Sequence, residues 1–275
     1  MESTRPIRAL IRGLDALSVL NRRNGATVAE VTEEIKLPRT TTYRILETLQ
    51  QAGFVVRDPI DDRYRLTVMV RSLSDGFDDE AWITQIARPC LNELGKEIVW
   101  PVSIVAPSGT SMLVRDTTDY SSPLAVERHP AGYRMPVLTT AAGRVYLAFS
   151  PPAQRDYVLE ILSHSTREED KLARNRPEID KILDETRSQG YATATRPRRV
   201  AEQIAMSVPI MYEDRMLAAV TVRFSSQAVP MRTAVERFLP RLRDTAQKIT
   251  TKFNEQHLNP PFRTELDSKK SALVR

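Results

Sequence analysis

The first 52 residues alternate between short amphipathic segments and turn signals. Apolar side chains at three- and four-residue spacing predict helices over residues 7–20, 28–35 and 39–52. Thr27 precedes the second helix with Glu30 three residues on, which is the spacing of a capping box. The predicted inner stripe of the first helix comprises Ile7, Leu10, Ile11, Leu14, Leu17 and Leu20.

A β-hairpin is predicted directly after the third helix. Residues 54–57 and 63–66 alternate between apolar and polar side chains around a polar turn. This alternation places Phe54, Val56, Tyr64 and Leu66 inward. Three helices followed by a hairpin are typical of a winged helix-turn-helix, whose second paired helix enters the DNA major groove. We therefore predict a DNA-binding domain over residues 1–75.

The exposed amino end of the third helix carries side chains suited to DNA. With Thr42, Ile45, Leu46 and Leu49 buried, helical geometry exposes Arg39, Thr40, Thr41, Tyr43 and Arg44. On the hairpin, Arg57, Arg63 and Arg65 are predicted to contact phosphates or a minor groove. The turn aspartates, Asp58, Asp61 and Asp62, are interpreted as solvated. The alternative is a helical domain that contacts protein, and the exposed Glu47 favours it mildly.

The sequence after residue 75 predicts an α+β fold. A helix over 83–98 lies in a linker region, residues 76–100, and an effector-binding domain follows over 101–256, with a polar tail at 257–275. Strands are predicted at 102–106, 112–116, 204–211 and 217–224, and helices at 141–149, 154–162, 177–189 and 235–253.

Charge and cysteine content limit the class of protein. The chain has 40 Lys and Arg against 35 Asp and Glu, a formal charge of +5, and residues 1–75 contribute 12 and 10, or +2. Cys90 is the single cysteine, and His129, His164 and His257 are scattered, so neither a disulfide nor a metal or other cofactor is expected. No apolar run approaches the roughly 18 residues of a membrane span. These features predict a cytoplasmic protein without membrane contact.

Motifs of catalysis are missing from the sequence. It contains no G-x-S-x-G elbow, P-loop, G-x-G-x-x-G or H-E-x-x-H, and Ser207 is interpreted as an ordinary strand residue, so no catalytic residue is expected. Residues 139–143 instead open a helix with small side chains, and its backbone N–H groups could hold a carboxylate. A tight strand-to-helix turn is the alternative interpretation. Candidate apolar walls for an aromatic ring are Trp100, Met135, Leu138 and Tyr146.

Two segments resemble the IclR family of bacterial transcriptional regulators. GLDALSVLNRRNGATVAEVTEEIKLPRTTTYRILETLQQAGFVVRDPIDDRYRLT is similar to the family's winged helix-turn-helix, and PVLTTAAGRVYLAF resembles its effector-domain signature. The resemblance extends to about residue 256 and implies a carboxy-terminal domain of GAF/PAS-like fold. RTTTYRILETLQ, DDRYRLTVMVRSLSDGF, DEAWI and EIVWP most resemble the activators of 3-(3-hydroxyphenyl)propionate catabolism.

The resemblance also implies a site and an assembly. Ala141 and Ala142 match the turn at which the family holds a small organic acid, and Ala205, Thr221 and Arg223 match strand positions that face the ligand. Ala205 and Arg223 depart from the Cys or Ser of founding members, so Arg223 is either a pocket cation for a larger acid or a surface residue at a strand end. The implied partners are operator DNA, a small aromatic acid and a second copy, as homodimer or tetramer; RNA polymerase is a further candidate. Activation is favoured over repression by the subgroup resemblance alone, and an enzyme or ligand carrier is the competing class.

Overall fold

The computed structural model describes residues 6–23, 25–73, 79–196 and 203–257. The chain forms two compact units, unit 1 over Met1–Asp78 and unit 2 over Asp79–Arg275. Within the described residues, no helix is both long enough and apolar enough to cross a membrane. The predicted polar tail beyond residue 257 lies outside the described residues.

Unit 1 contains the three predicted helices and the hairpin. Its elements are α1 (Arg8–Arg23), α2 (Val28–Ile35), α3 (Arg39–Gln51), β1 (Val55–Arg57), β2 (Tyr64–Leu66) and α4 (Met69–Ser72). The capping box before α2 is present, because Glu30 accepts the Thr27 N–H while Thr27 accepts the Glu30 N–H. An antiparallel bridge between Ala26 and Tyr64 ties the hairpin to the start of α2. The core lies between the helices and the hairpin, around Leu20, Val31, Leu46 and Tyr64.

Two details of the predicted burial in unit 1 are wrong. Val55 is buried and Val56 is 49% exposed, because the N–H of Phe54 bonds the carbonyl of Leu49, so the strand pleat begins one residue later than expected. The inner stripe of α1 is buried only in its second half. Three of its predicted members are exposed, namely Ile7, Leu10 and Leu14, while Leu17 and Leu20 reach the core.

Unit 2 is built on one antiparallel sheet of six strands. The strands are β3 (Val102–Ser108), β4 (Ser111–Thr117), β5 (Arg134–Pro136), β6 (Ala192–Arg196), β7 (Gln203–Tyr212) and β8 (Arg215–Ser225), in the order β5-β4-β3-β8-β7-β6. The four long central strands agree with the prediction. The sequence analysis missed β5 and β6, which are short strands at the two edges and bury too few side chains to alternate clearly.

Helices cover both faces of this sheet. They are α5 (Asp79–Trp82), α6 (Arg88–Ile98), α7 (Ala141–Phe149), α8 (Pro152–Ser163), α9 (Arg176–Gln189), α10 (Met231–Arg237) and α11 (Leu239–His257). One core packs α6, α10 and α11 against the sheet, and a second core packs α7, α8 and α9 on the opposite face. The alternating side chains of β7 and β8 therefore serve two different cores, Met206 and Val222 facing the first core and Ala205 and Ala219 the second.

Two predicted helices of unit 2 are interrupted. A π-helical stretch, Ile83–Ala87, precedes α6, whose second residue, Pro89, has no N–H to continue a regular helix. This predicted linker helix contributes Ile83, Leu91 and Leu94 to the core of unit 2. The closing helix, predicted as one, is divided into α10 and α11 at Phe238, two residues before Pro240. The sequence also gave no signal for the 3₁₀ helix Glu168–Arg174.

Candidate functional sites: a nucleic-acid interface and a ligand cavity

The amino end of α3 has free hydrogen-bond donors. Pro38 precedes the helix and supplies no side-chain cap, while its carbonyl accepts from Thr41 and Thr42. The N–H groups of Arg39 and Thr40 consequently have no acceptor among the described residues. Uncapped N–H groups at a helix amino terminus bind phosphate oxygens, helped by the helix dipole. This end of α3 is thus able to hold a DNA phosphate.

The predicted base-contacting side chains surround that end. Arg39, Thr40, Tyr43 and Arg44 are exposed, and Thr41 is half-buried. In the part of unit 1 that the structure describes, the guanidinium groups of Arg39 and Arg44 have no ion-pair or hydrogen-bond partner, so both remain available to DNA. The neighbouring Glu47 carboxylate raises the pKa of Tyr43.

The three hairpin arginines are paired with acids instead. Arg57 lies 2.5 Å from Asp62, and Arg65 contacts Asp58 at 3.0 Å and Asp61 at 2.5 Å. The Arg65 hydrogen bond holds the pKa of Asp61 at about 2. The interpretation of these aspartates as merely solvated is therefore wrong: Asp58 and Asp61 share Arg65, and Asp62 pairs with Arg57.

Arg63 has a different role, because it joins the hairpin to α2. Its guanidinium donates to both carboxylate oxygens of Glu30 and to the carbonyl of Gly25. A bidentate pair of this kind fixes geometry as well as charge. Arg63 therefore positions the hairpin against the capped start of α2.

Unit 2 contains a cavity of about 390 Å³ beside the sheet and the start of α7. All five predicted effector residues line it, namely Ala141, Ala142, Ala205, Thr221 and Arg223. The pairing of Ala205 with Arg223 across β7 and β8, and the period-two alternation from Arg223 to Thr221, explain why the strand residues share one face. The volume falls within the range of sites for small molecules.

The first two residues of α7, Ala141 and Ala142, line this cavity. Thr140 caps the helix by accepting from the N–H of Gly143, and it donates to the carbonyl of Pro136. The N–H groups of Ala141 and Ala142 have no acceptor within the described residues. Two free amides at the positive end of a helix dipole are suited to a carboxylate.

Close backbone packing fixes the position of these amides. A Cβ at Gly143 would stand only 1.9 Å from the carbonyl oxygen of Val137, so only glycine permits this approach. The next residue, Arg144, donates to the carbonyls of Leu138 and Thr193, and burial lowers its pKa. These contacts hold the start of α7 against the segment that follows β5 and against β6.

Arg223 is a buried residue of the cavity, so its interpretation as a surface arginine is wrong. Its side chain is paired with Asp119, which is fully buried, and it donates to the carbonyl of Glu127 at 3.3 Å. The other oxygen of Asp119 accepts from the N–H of His129 at 2.6 Å. The guanidinium is therefore held in place and its charge is countered before any ligand arrives.

The sequence analysis missed several other cavity residues. His129 stacks on Tyr133 with ring centroids 4.5 Å apart, and both line the cavity together with Ser103 and Gln203. Ser103 pairs with Thr221 across β3 and β8, so strand register would have found it. No periodic signal points to His129 or Tyr133, because both lie in the irregular segment between β4 and β5.

Three of the four candidate apolar walls do not line this cavity. Met135 does, whereas Leu138 and Tyr146 belong to the core around α7, and Trp100 packs against the core on the opposite face of the sheet. Ser207 is buried and shares a 2.7 Å hydrogen bond with the Thr221 hydroxyl, as an ordinary strand residue does.

Comparisons with known proteins agree with this architecture. The model of the IclR helix-turn-helix domain matches residues 9–59, and that of the bacterial transcriptional regulator IclR C-terminal domain matches residues 79–251. The helix-turn-helix unit followed by a cavity-bearing α+β unit thus defines a DNA-binding transcriptional regulator. The chain belongs to the IclR family. Its relatives are regulators rather than enzymes.

Individual relatives are distant but span nearly the whole chain. The probable transcriptional regulator SauR of Cupriavidus necator is 27% identical, covering 90% of this chain and 97% of its own. The DNA-binding transcriptional repressor YiaJ of Escherichia coli is also 27% identical, with coverages of 90% and 89%. Among solved structures, an IclR homolog of Microbacterium hydrocarbonoxydans complexed with 4-hydroxybenzoate has a TM-score of 0.50 at 22% identity, covering 90% and 99%.

Proposed function

We propose that this regulator activates a catabolic operon in response to a small aromatic monocarboxylic acid of the hydroxyphenylpropionate type. The observation that carries the proposal is the cavity of unit 2, where the free amides of Ala141 and Ala142 meet a mostly apolar wall. Such a site holds a carboxylate at one end and a ring beside it. The 4-hydroxybenzoate bound by the Microbacterium hydrocarbonoxydans homolog belongs to the same chemical class.

In this proposal, α3 contacts operator bases and phosphates. Arg39, Thr40, Thr41, Tyr43 and Arg44 face the major groove, and the free amides of α3 take a phosphate. The hairpin contributes Arg57, Arg63 and Arg65 to the DNA-binding surface, but the acids paired with these arginines largely neutralise their charge. Affinity therefore depends mainly on the placement of the α3 side chains.

A symmetric oligomer is proposed because a single DNA-binding domain should bind DNA weakly. Residues 1–75 carry a net charge of only +2, and two recognition helices on a two-fold axis double the contacts at a partly palindromic site. Three exposed apolar side chains, those of Leu10 and Leu14 on α1 and of Ile7 just before it, support an interface with a second copy. We propose a homodimer, with tetramers formed by pairing of effector domains.

The acid acts in this scheme by binding one arrangement of the oligomer more tightly than another. A ligand shifts a conformational equilibrium only through such a difference in affinity. Activation then requires contact with RNA polymerase at the promoter. Repression is the second candidate, because the relative YiaJ is a DNA-binding repressor, and the position of the operator relative to the promoter decides between them.

The DNA half is tested by fluorescence anisotropy on the upstream DNA of the chain's own gene. Arg44→Ala should weaken operator binding by about 1–3 kcal/mol, or roughly 5- to 150-fold, as expected for loss of a bidentate base contact. Arg232→Ala removes an exposed arginine of unit 2 as a matched control and should leave binding unchanged. Equal operator affinity of the wild type and Arg44→Ala would contradict the proposed role of α3.

The ligand half is tested by Ala141→Pro. Proline at the first helical position keeps the helix, and the extended backbone of Thr140 is compatible with a following proline, yet one cavity amide is lost. Calorimetric titration with 3-(3-hydroxyphenyl)propanoate should show affinity reduced about tenfold or more, since a hydrogen bond to a charged group contributes about 1.5–3 kcal/mol. Unchanged affinity, with an unchanged melting temperature, would place the carboxylate elsewhere.

A further inference from the structure

We propose that Asp119 limits the cavity to acids carrying one negative charge, and that it does so by neutralising Arg223. The inference rests on the function proposed above, because it concerns the same cavity. It assigns Asp119 as a residue that determines ligand specificity without needing to touch the ligand. The expected ligands are monocarboxylates with an uncharged polar group at the far end.

The buried pair is fully built before any ligand binds. One Asp119 oxygen pairs with Arg223 and accepts from the Thr117 hydroxyl at 2.6 Å, while the other accepts from the N–H of His129. The carboxylate is completely buried, and neither of its oxygens lacks a hydrogen-bond partner. Removing this aspartate from Arg223 would therefore cost several hydrogen bonds, so the pair is a fixed part of the cavity wall.

Arg223 stands between this carboxylate and the cavity. It lines the cavity and Asp119 does not, and among the described lining residues no other Lys, Arg, Asp or Glu is present. A guanidinium has five N–H donors, and the pair and the Glu127 carbonyl occupy two of them. Arg223 thus keeps donors for a hydroxyl or carbonyl oxygen, although its charge is already compensated.

The free helix amides then supply the site for the single anion. The start of α7 offers two N–H groups and the positive end of its dipole to one carboxylate. A second carboxylate in the same cavity would lose its hydration and meet a net-neutral Arg223–Asp119 pair. An uncharged hydroxyl at that place loses far less hydration and still accepts a hydrogen bond.

Two probes of nearly the same shape separate these cases. 3-(3-Hydroxyphenyl)propanoate carries one negative charge at pH 7, and 3-(3-carboxyphenyl)propanoate carries two and differs only at the ring substituent. Calorimetric titration of the full chain should give the hydroxyl compound an affinity about tenfold or more above that of the dicarboxylate. Asp119→Asn leaves the Arg223 charge uncompensated. In this variant the ratio of the two affinities should shift at least about tenfold in favour of the dicarboxylate.

Control variants identify the origin of the shift. Asp116→Asn removes the pair of Asp116 with Arg88, three residues before Asp119 and away from the cavity lining, and its affinity ratio should stay at the wild-type value. Asp119→Asn combined with Arg223→Gln removes both charges and should restore the preference for the hydroxyl compound. This double variant and the wild type together still test the proposal if Asp119→Asn alone fails to fold.

Three results would overturn the inference. Wild-type protein that binds the dicarboxylate as tightly as the hydroxyl compound would exclude a one-anion cavity. A folded Asp119→Asn variant with an unchanged ratio would exclude the role of Asp119. Both of these leave the aromatic-acid proposal intact, whereas failure of the wild type to bind either acid at millimolar concentration would overturn both proposals together.

Discussion

Gly143→Ala is expected to displace the start of α7 and with it the anion site. The new Cβ would lie 1.9 Å from the carbonyl oxygen of Val137 and 2.5 and 2.6 Å from its C and Cα atoms. All three are backbone atoms, so no side chain can rotate away. Bringing the closest contact to 3.4 Å requires a retreat of about 1.5 Å, and forced displacements in packed cores typically cost about 1–3 kcal/mol.

The retreat has two measurable consequences. The melting temperature of unit 2 should fall by roughly 2–12 °C, given about 2–4 °C per kcal/mol for a unit of this size. Affinity for 3-(3-hydroxyphenyl)propanoate should fall about 30-fold or more, because a 1.5 Å shift takes both amides out of hydrogen-bonding distance. Gly13→Ala, at a helical glycine with open space around it, is the control and should leave acid binding unchanged. A Gly143→Ala protein with wild-type stability and wild-type affinity would refute the argument from close packing.

Two further substitutions test the capped helix starts. Glu30→Gln should destabilise unit 1 at pH 7. The backbone hydrogen bond from Thr27, and after it the pair with Arg63, lowers the pKa of Glu30. The ionised Glu30 therefore stabilises the folded state above its ordinary pKa near 4.5, and this stabilisation is lost as the pH falls below that value. The calorimetric difference between wild type and variant should therefore shrink from pH 7 to pH 3, and a constant difference would contradict this assignment. Thr140→Val keeps the side-chain shape but removes the cap of α7, which should cost about 1 kcal/mol of stability. The melting temperature should fall by a few degrees relative to a Thr251→Val control. Equal melting temperatures of the two variants would show that the cap contributes nothing.

Periodicity predicted those elements that bury one continuous face. The helices of unit 1 and the central strands of unit 2 have such faces, and the capping box at Thr27 and Glu30 marked a helix start to the residue. The short edge strands, β5 and β6, have three and five residues and escaped prediction for that reason. The pleat of β1 was misplaced by one residue because the backbone hydrogen bond from the N–H of Phe54 to the carbonyl of Leu49 keeps Phe54, the residue before β1, in the turn.

The candidate sites were predictable to a different extent. The five proposed effector residues came from the family resemblance, in the segments PVLTTAAGRVYLAF, IAMSVPI and LAAVTVRF, and the structure gathers all five at one cavity. The partner of Arg223 was not predictable, since Asp119 lies 104 positions away in the chain and follows β4 in an irregular segment. The hairpin ion pairs were missed for the opposite reason: alternation shows which face a side chain occupies, but not which neighbouring carboxylate it selects.

The division of β7 and β8 between two cores has a consequence for how new ligand ranges can arise. Even-numbered residues from Met206 to Ile210 and from Ala218 to Phe224 pack under α6 and α11, while the intervening positions include Thr221 and Arg223 at the cavity. A library randomised only at the intervening positions would vary the cavity and retain the packing of the helices on the other face. Insertion or deletion of one residue in β8 would exchange the two sets and should give unfolded protein rather than a new specificity. The cavity can therefore acquire new ligand specificities by substitution in this sheet, but not by changes in the length of its strands.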